Sequence, residues 1–154
     1  MRRFTIFTGL AIAIAACTPA PGTERVTAGE TVDIASGGAQ ISVQRAQNGL
    51  VRPLGYSPAL QAAAESHAQY LSRTGNFSHT GAGGSNVQTR VRRAGYQACT
   101  VAENIARGQS DIRSVLTDWM GSPGHRANIL NPQVTQYGFA GAGSVWVLVL
   151  ARPC

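Results

Sequence analysis

The chain of 154 residues contains no lysine, and all 13 of its basic residues are arginine. Aromatic residues are also scarce, at 6%, and charged residues make up only 13%. A nucleic-acid interface needs basic stripes interleaved with aromatics, so we expect no nucleic-acid partner. The only tight basic group, Arg90, Arg92 and Arg93, is interpreted as the solvated face of a helix. A hydrophobic content of 44% and this length are typical of one globular domain, which we expect to be a monomer.

Long hydrophobic runs are absent outside the N terminus. Two arginines precede a mostly apolar run at residues 4–16, which is shorter than the roughly 20 residues that span a bilayer and suits a signal peptide. The run ends in Ile-Ala-Ala-Cys, which resembles the lipobox of bacterial lipoproteins. Residues 1–16 are therefore predicted to be a lipoprotein signal peptide, with Cys17 as the lipidated residue that anchors the exported protein to a membrane. The alternative is ordinary secretion, with Cys17 removed or unused.

Only three cysteines occur. If Cys17 carries lipid, Cys99 and Cys154 form an even pair in an oxidising compartment, where a disulfide is favoured. A metal or catalytic role for Cys99 has little support, because no other Cys or His stands at ligand spacing. We therefore expect a disulfide between Cys99 and Cys154.

The rest of the chain divides into a tether and a domain. Residues 17–38, rich in Thr, Pro, Gly and Ala, are predicted to be a flexible tether, and residues 39–154 the folded domain. The patterns indicate a short helix near residue 41 and further helices at residues 57–74, 85–94 and 110–120. Their predicted caps are Ser57, which precedes a proline, Ser85 and the Ser110-Asp111 pair. Two strands follow at residues 134–140 and 144–151, and the second is apolar on both faces, as in a covered strand. Helices with an antiparallel hairpin and no alternating βαβ order predict the α+β class.

Three side chains could carry chemistry: His79, Glu103 and His125, each predicted at a junction between elements. Two imidazoles and a carboxylate form the ligand set of a catalytic zinc site, in which Glu103 is either a third ligand or a base. The structural alternative is that the histidines only pack and hydrogen-bond their loops. Ser122, followed by proline, is interpreted as a helix cap and not as a nucleophile. Mid-helix His67 is interpreted as a core residue.

Four ordered segments carry a family resemblance: residues 77–81 (FSHTG), 90–96 (RVRRAGY), 102–106 (AENIA) and 119–130 (WMGSPGHRANIL). Their succession resembles the bacterial branch of the CAP superfamily, the SCP/PR-1-like domains of cysteine-rich secretory proteins, antigen 5 and pathogenesis-related 1 proteins. The resemblance covers about residues 41–151. It implies a three-layer α-β-α sandwich with a central antiparallel sheet, and export from the cell.

The family also implies a cleft with a His-Glu-Glu-His tetrad that binds a divalent metal in some members. His79, Glu103 and His125 match the first, second and fourth positions. The third position departs from the pattern, because Ser122 stands where many eukaryotic members have a glutamate. Two histidines and one glutamate could still hold Zn²⁺ or another divalent metal, although we expect no required cofactor.

Family membership does not select a reaction, since members are linked to sterol and lipid binding, partner binding and occasional proteolysis. The preferred hypothesis is a lipid-anchored binding module whose cleft, lined by His79, Glu103, Ser122 and His125, accepts a metal ion, a small apolar ligand or a partner segment. The alternatives are a metal-dependent hydrolase and a disulfide-locked structural protein of the envelope. An enzymatic activity is the less favoured of these hypotheses.

Overall fold

The computed structural model describes residues 34–154. The predicted signal peptide, Cys17 and most of the predicted tether lie outside the described residues. Within them, the helices are α1 (Ile34–Gln47), α2 (Pro58–Thr74), α3 (Val87–Arg93), α4 (Ile112–Gly121) and α5 (Pro123–Ile129), and a 3₁₀ turn spans Ala82–Gly84. The strands are β1 (Gly55–Tyr56), β2 (Ala98–Arg107), β3 (Gln136–Ala142) and β4 (Val145–Pro153). No helix in the described part of the chain is long and apolar enough to cross a membrane.

The four strands form one sheet in the order β1-β3-β4-β2. Strand β4 lies between β3 and β2 and pairs antiparallel with both, which confirms the predicted hairpin. The predicted central antiparallel sheet is present, and it gains one parallel edge, where β1 pairs with β3. This edge strand is only two residues long, and it runs parallel because the extended connector before α2 passes alongside the start of β3.

Side chains of β4 alternate between two cores, as the two-residue period of a strand requires. Trp146, Leu148 and Leu150 pack on one face in a core that includes residues of α1, α4 and α5. Val147 and Val149 pack on the other face in a core that includes residues of α2 and α3. Both faces of the sheet are therefore covered, which confirms the α+β class and the three-layer sandwich.

Helix α1 begins before the predicted domain boundary. It starts at Ile34, whereas residues up to 38 were predicted to be tether. Gly37 and Gly38 are buried, because the rings of Phe139 and Tyr137 occupy the places where their side chains would lie. The small residues that suggested a flexible linker instead allow α1 to pack directly against β3, so the tether prediction fails for its last residues.

The helix starts agree only in part with the predicted caps. Ser57 and Asp111 accept hydrogen bonds from the first turns of α2 and α4, as predicted. Helix α3 is capped by Asn86, one residue after the predicted Ser85. Ser122 precedes Pro123 at the start of α5, but its side chain makes no capping hydrogen bond.

The predicted disulfide between Cys99 and Cys154 is present, with a sequence separation of 55 residues. It joins the adjacent strands β2 and β4 where their pairing ends, next to the Ala98–Pro153 pair. Closing a loop of this length stabilises a fold by about 4 kcal/mol in chain-entropy models, so the bridge holds the edge strand β2 against the sheet.

Candidate functional site

The edge strand β2 brings the predicted site residues together. Successive side chains of a strand point to opposite faces, so Glu103 and Asn104 serve different layers. Glu103 faces the layer of α2 and α3 and binds His79, which lies in the loop between these helices. Asn104 faces the layer of α4 and α5, where its amide donates to the backbone oxygen of His125 over 3.0 Å. Glu103 thus lies within a strand and not at the predicted junction.

The Glu103 carboxylate holds one imidazole and one guanidinium. Its Oε1 lies 2.8 Å from His79 Nδ1, and its Oε2 lies 2.7 Å from Arg90 Nη2. Since a carboxylate accepts hydrogen bonds, His79 Nδ1 carries the proton in this pair. The Glu103 side chain is only 2% exposed, whereas that of His79 is 59% exposed. A buried ion pair therefore orients an imidazole that reaches solvent.

Arg90 was predicted to lie on a solvated helix face, and this was wrong. The guanidinium is buried, and its Nη1 also donates to the backbone oxygens of Ser85 at 2.7 Å and His79 at 3.1 Å. Arg90 therefore fixes both the loop that carries His79 and the carboxylate that orients its ring. The helical spacing of Val87, Val91 and Ala94 places Arg90 on the inward face, a signal that outward-facing Arg92 and Arg93 concealed.

His125 is positioned differently, by backbone hydrogen bonds and aromatic packing. It is the third residue of α5, and its ring lies 6.4 Å from that of Trp119, centroid to centroid. Asn128 of the same helix donates to the Asn104 side chain over 2.9 Å, so two amides fasten α5 to β2. No ion pair to a carboxylate involves His125 among the described residues.

The two histidines have pKa values displaced in opposite directions. The hydrogen bond that His79 donates to Glu103 raises the pKa of His79, despite partial desolvation of the ring. Burial lowers the pKa of His125, and the positive charge of nearby His79 lowers it further. His125 therefore lies near enough to His79 for the charge of the His79 ring to act on it.

Ser122 does not act as the predicted cap. It is half-buried at the α4–α5 junction, and its backbone N–H donates to Asp118 and Trp119 oxygens of the preceding helix. Its hydroxyl makes no capping bond to α5. The fixed φ of Pro123 begins this helix without help from the Ser122 side chain.

The predicted metal-ligand set of His79, Glu103 and His125 does not fit this geometry. Both oxygens of Glu103 are engaged, one by His79 and one by the Arg90 cation, which would also oppose a metal ion. Within residues 34–154, no group of three or more His, Cys, Asp or Glu side chains is arranged to hold a metal. Glu103 is equally badly placed to serve as a water-activating base, because its side chain is almost fully buried.

His67 is the core residue that was predicted, but it also adjoins the site. Its Nε2 lies 3.0 Å from the Ser78 carbonyl and 3.7 Å from Glu103 Oε1. Burial lowers the pKa of His67. A carbonyl only accepts, so in the neutral ring Nε2 carries the proton and Nδ1 keeps a lone pair.

Comparisons with known proteins match these residues to one family. A family model described as the cysteine-rich secretory protein family matches residues 40–145, more than half of the chain. The Bacillus subtilis protein YkwD, described as uncharacterized, is 33% identical over 107 residues. This match covers 68% of the chain but only 41% of YkwD, so the chain spans less than half the length of this relative.

Solved structures show the same fold. An extracellular Bacillus anthracis protein containing an SCP domain superposes with a TM-score of 0.74 at 24% identity, covering 77% of this chain and 40% of its own. A Borrelia burgdorferi outer surface protein superposes with a TM-score of 0.70 at 18% identity, covering 82% of this chain and 99% of its own. At these identities the likeness concerns the fold alone.

Proposed function

Because the chain belongs to the cysteine-rich secretory protein family, we propose that it is an exported, lipid-anchored binding module of a bacterial envelope that holds a polypeptide partner through His79 and His125. The observation that carries this proposal is the pairing of a buried Glu103 with a largely exposed His79. A fixed carboxylate behind an imidazole sets which ring nitrogen faces outward, here Nε2. The outward-facing Nε2 is therefore held in one direction, from which it can hydrogen-bond to a partner.

The chemistry of the two rings suits a partner with hydrogen-bonding groups. The raised pKa of His79 favours its protonated form, whose Nε2–H donates a hydrogen bond to a carbonyl or carboxylate oxygen. The lowered pKa of His125 favours its neutral form, which can accept a hydrogen bond as well as donate one. An extended polypeptide presents both kinds of group along its backbone. The exposure of His79 also favours a partner lying across a surface over a small molecule enclosed in a cavity.

Export and anchoring are proposed from the sequence and from the relatives. The related structures come from an extracellular protein and an outer surface protein. The apolar run at residues 4–16 followed by Cys17 supplies the features of a lipoprotein leader. Mass spectrometry of membrane fractions should detect acyl mass on the wild type and none on Cys17→Ser. Equal masses would refute the anchor without affecting the binding proposal.

Photo-crosslinking in the native cell tests the binding proposal. A photoreactive amino acid replaces exposed Thr80, next to His79, and in a matched control it replaces exposed Thr117 on α4. We expect a discrete adduct of defined mass from position 80 only, and its loss when His79→Ala or His125→Ala is added. An adduct that persists in both histidine variants would contradict a role for the two rings.

The hydrolase and metal alternatives are tested beside it. Zinc calorimetry compares the wild type with the His79→Ala/His125→Ala double variant, and a panel of peptide, ester and glycan substrates tests for turnover. We expect turnover on none of these substrates and no stoichiometric zinc binding that depends on both histidines. Zinc binding that depends on both histidines would replace the binding module with a metal site. Turnover of any substrate would replace it with an enzyme.

A further inference from the structure

A pocket of about 330 Å³ lies at the C-terminal end of α1, where the connector before β1 meets the turn after α5. Its accessible walls are mostly apolar, because Leu50 is half-buried and Val51, Pro53 and Pro132 are exposed. Val51 keeps 82% of its surface open to solvent. Neither histidine of the surface proposed to hold a partner lines this pocket, so the two places are separate.

Arg45 is the buried cation of the pocket lining, and it is only 3% exposed. Its Nη1 donates to the backbone oxygens of Ile129 at 2.7 Å and Asn131 at 3.0 Å, where α5 ends. Its Nη2 makes no hydrogen bond to residues 34–154, yet Nε is the only nitrogen of this side chain that is both unpaired and enclosed. Nη2 therefore keeps contact with solvent, and it is the nitrogen that can reach a molecule in the pocket.

The charge of Arg45 is not balanced by any carboxylate in the described part of the chain. The ion pairs within residues 34–154 all involve Glu103, and desolvation lowers the pKa of Arg45. Exposed Arg52 adds a second guanidinium to the pocket lining. Buried charges in folded proteins are normally paired, so this pocket has the charge to hold an anion. A carboxylate suits it, because hydrogen bonds between arginine and a carboxylate are strengthened by both charges.

The pocket adjoins an open edge of the sheet, because β1 is the outermost strand and directly follows the connector that lines the pocket. The N–H of Gly55 donates to the Thr135 oxygen over 2.9 Å. The N–H of Ser57 donates to the Tyr137 oxygen over 3.0 Å. Backbone groups of successive strand residues point to opposite sides, so the N–H and C=O of Tyr56 face away from the sheet. An edge of this kind can accept an added strand.

The end of a polypeptide combines the groups that the pocket and the edge require. Its last residue carries a carboxylate and a side chain on one Cα, so the carboxylate can meet the two arginines while an apolar side chain lies against the apolar walls. The residues before it can hydrogen-bond to the free backbone groups of Tyr56. We propose that the pocket and β1 together bind the C-terminal segment of a polypeptide that ends in an apolar residue. The segment runs antiparallel to β1, because its C terminus lies at the start of that strand.

Nuclear magnetic resonance of the purified protein tests this site with short peptides. The probes share an acetyl-Ala-Thr-Ala body and end in valine, leucine or phenylalanine with a free carboxylate, and each has its C-terminal amide as a control. A further amidated probe carries an internal aspartate. We expect at least one free-acid peptide to shift the amide signals of Arg52 and Tyr56 in a saturable way, and to bind about tenfold or more tightly than its amide.

Three results with these probes would overturn the proposal. The first is the absence of a saturable shift with every free-acid peptide. The second is equal binding of an amide or of the aspartate probe, which would show that a terminal carboxylate is not recognised. The third is a saturable shift at Arg52 without one at Tyr56, which would show that the pocket binds an acid without using the strand edge.

Two exposed positions supply matched variants. Arg52→Glu should weaken binding of the free-acid peptide by about tenfold or more, whereas Arg73→Glu, an equal change of charge on α2, should leave it unaltered. Tyr56→Ala keeps the backbone donor at the edge, and Tyr56→Pro removes it without removing a donor to β3. We expect Tyr56→Pro to bind about fivefold more weakly than Tyr56→Ala. Unaltered binding in Arg52→Glu, or equal binding by the two Tyr56 variants, would contradict the proposal.

Discussion

His79 and His125 belong to opposite layers of the sandwich and approach the same edge strand, β2, yet they are held by different means. His79 projects from a loop and takes its orientation from a buried carboxylate that is itself fixed by Arg90. His125 takes its position from a short helix that two amides fasten to the strand. One histidine is thus controlled by charge and the other by packing, which is why their pKa values move apart.

The substitution expected to change this contrast most is Glu103→Gln. Removing the carboxylate leaves the buried Arg90 cation without its partner, and breaking a buried ion pair costs about 3–5 kcal/mol. We expect this loss in the free energy of unfolding by urea denaturation, with a fall in the pKa of His79 measured by nuclear magnetic resonance. The exposed Glu65→Gln variant is the matched control and should change both quantities little. An unchanged His79 pKa in Glu103→Gln would show that the carboxylate does not control the ring.

Asn104→Ala tests how His125 is held in position. Asn104 is fully buried, and its loss removes the amide donor of the His125 carbonyl and leaves the Asn128 amide with only its 3.4 Å hydrogen bond to the Glu103 backbone oxygen. We expect a loss of about 1–3 kcal/mol in the free energy of unfolding and a shift of the His125 pKa back toward 6.5 as α5 loosens. The pKa of His79 should not follow. Exposed Asn76→Ala serves as the control, and a joint shift of both histidines would contradict separate mechanisms.

The pH dependence of stability sharpens the contrast further. A raised folded pKa means that the stabilisation from His79 is complete below pH 6.5 and is lost as pH rises through its folded pKa. A lowered folded pKa means that the stabilisation from His125 is present above pH 6.5 and is lost as pH falls through its folded pKa. Buried His67 adds to the loss on the acid side.

Urea midpoints between pH 5 and 8.5 measure these two windows. His79→Asn should flatten the curve above pH 6.5, by a small amount because the ring is largely solvated. His125→Asn should flatten it below pH 6.5 and leave the upper window intact. Curves that change in the same window for both variants would show that the two groups titrate together.

The smallest change expected is that of Ser122→Glu. A carboxylate three residues before His125 lies within reach of the imidazole at the start of α5. We expect the pKa of His125 to rise, with a gain in stability of no more than about 1 kcal/mol, as for exposed ion pairs. Ser122→Gln is the uncharged control. If both variants raise the pKa equally, charge is not the cause.

The fold was predictable because its signals are local and periodic. The apolar pattern of residues 144–151 identified a covered strand, and the cap-and-proline pair Ser57–Pro58 marked the start of α2. The tether boundary failed because Gly37 and Gly38 look like linker residues unless one knows which rings pack against them. The parallel edge strand β1 was not predicted, because two residues carry too little periodicity to be recognised.

Sequence reasoning named His79, Glu103 and His125 as candidates but missed Arg90. The roles of these residues depend on distances between positions far apart in the chain. Arg90 lies 13 residues before Glu103, and only the packing of α3 on β2 reveals that it neutralises the carboxylate. A carboxylate counted as a metal ligand became the support of an imidazole once both of its oxygens were accounted for.

The placement of β4 determines when the sheet can be completed during synthesis. This strand lies inside the sheet and comes last of the four in the sequence, so β1, β2 and β3 are all synthesised before the strand that joins β2 to β3 exists. A chain emerging from the ribosome therefore cannot close either core early. If the protein is exported as proposed, this order would keep the chain open for threading through a translocation channel, and the Cys99–Cys154 bridge would form in the oxidising environment beyond it.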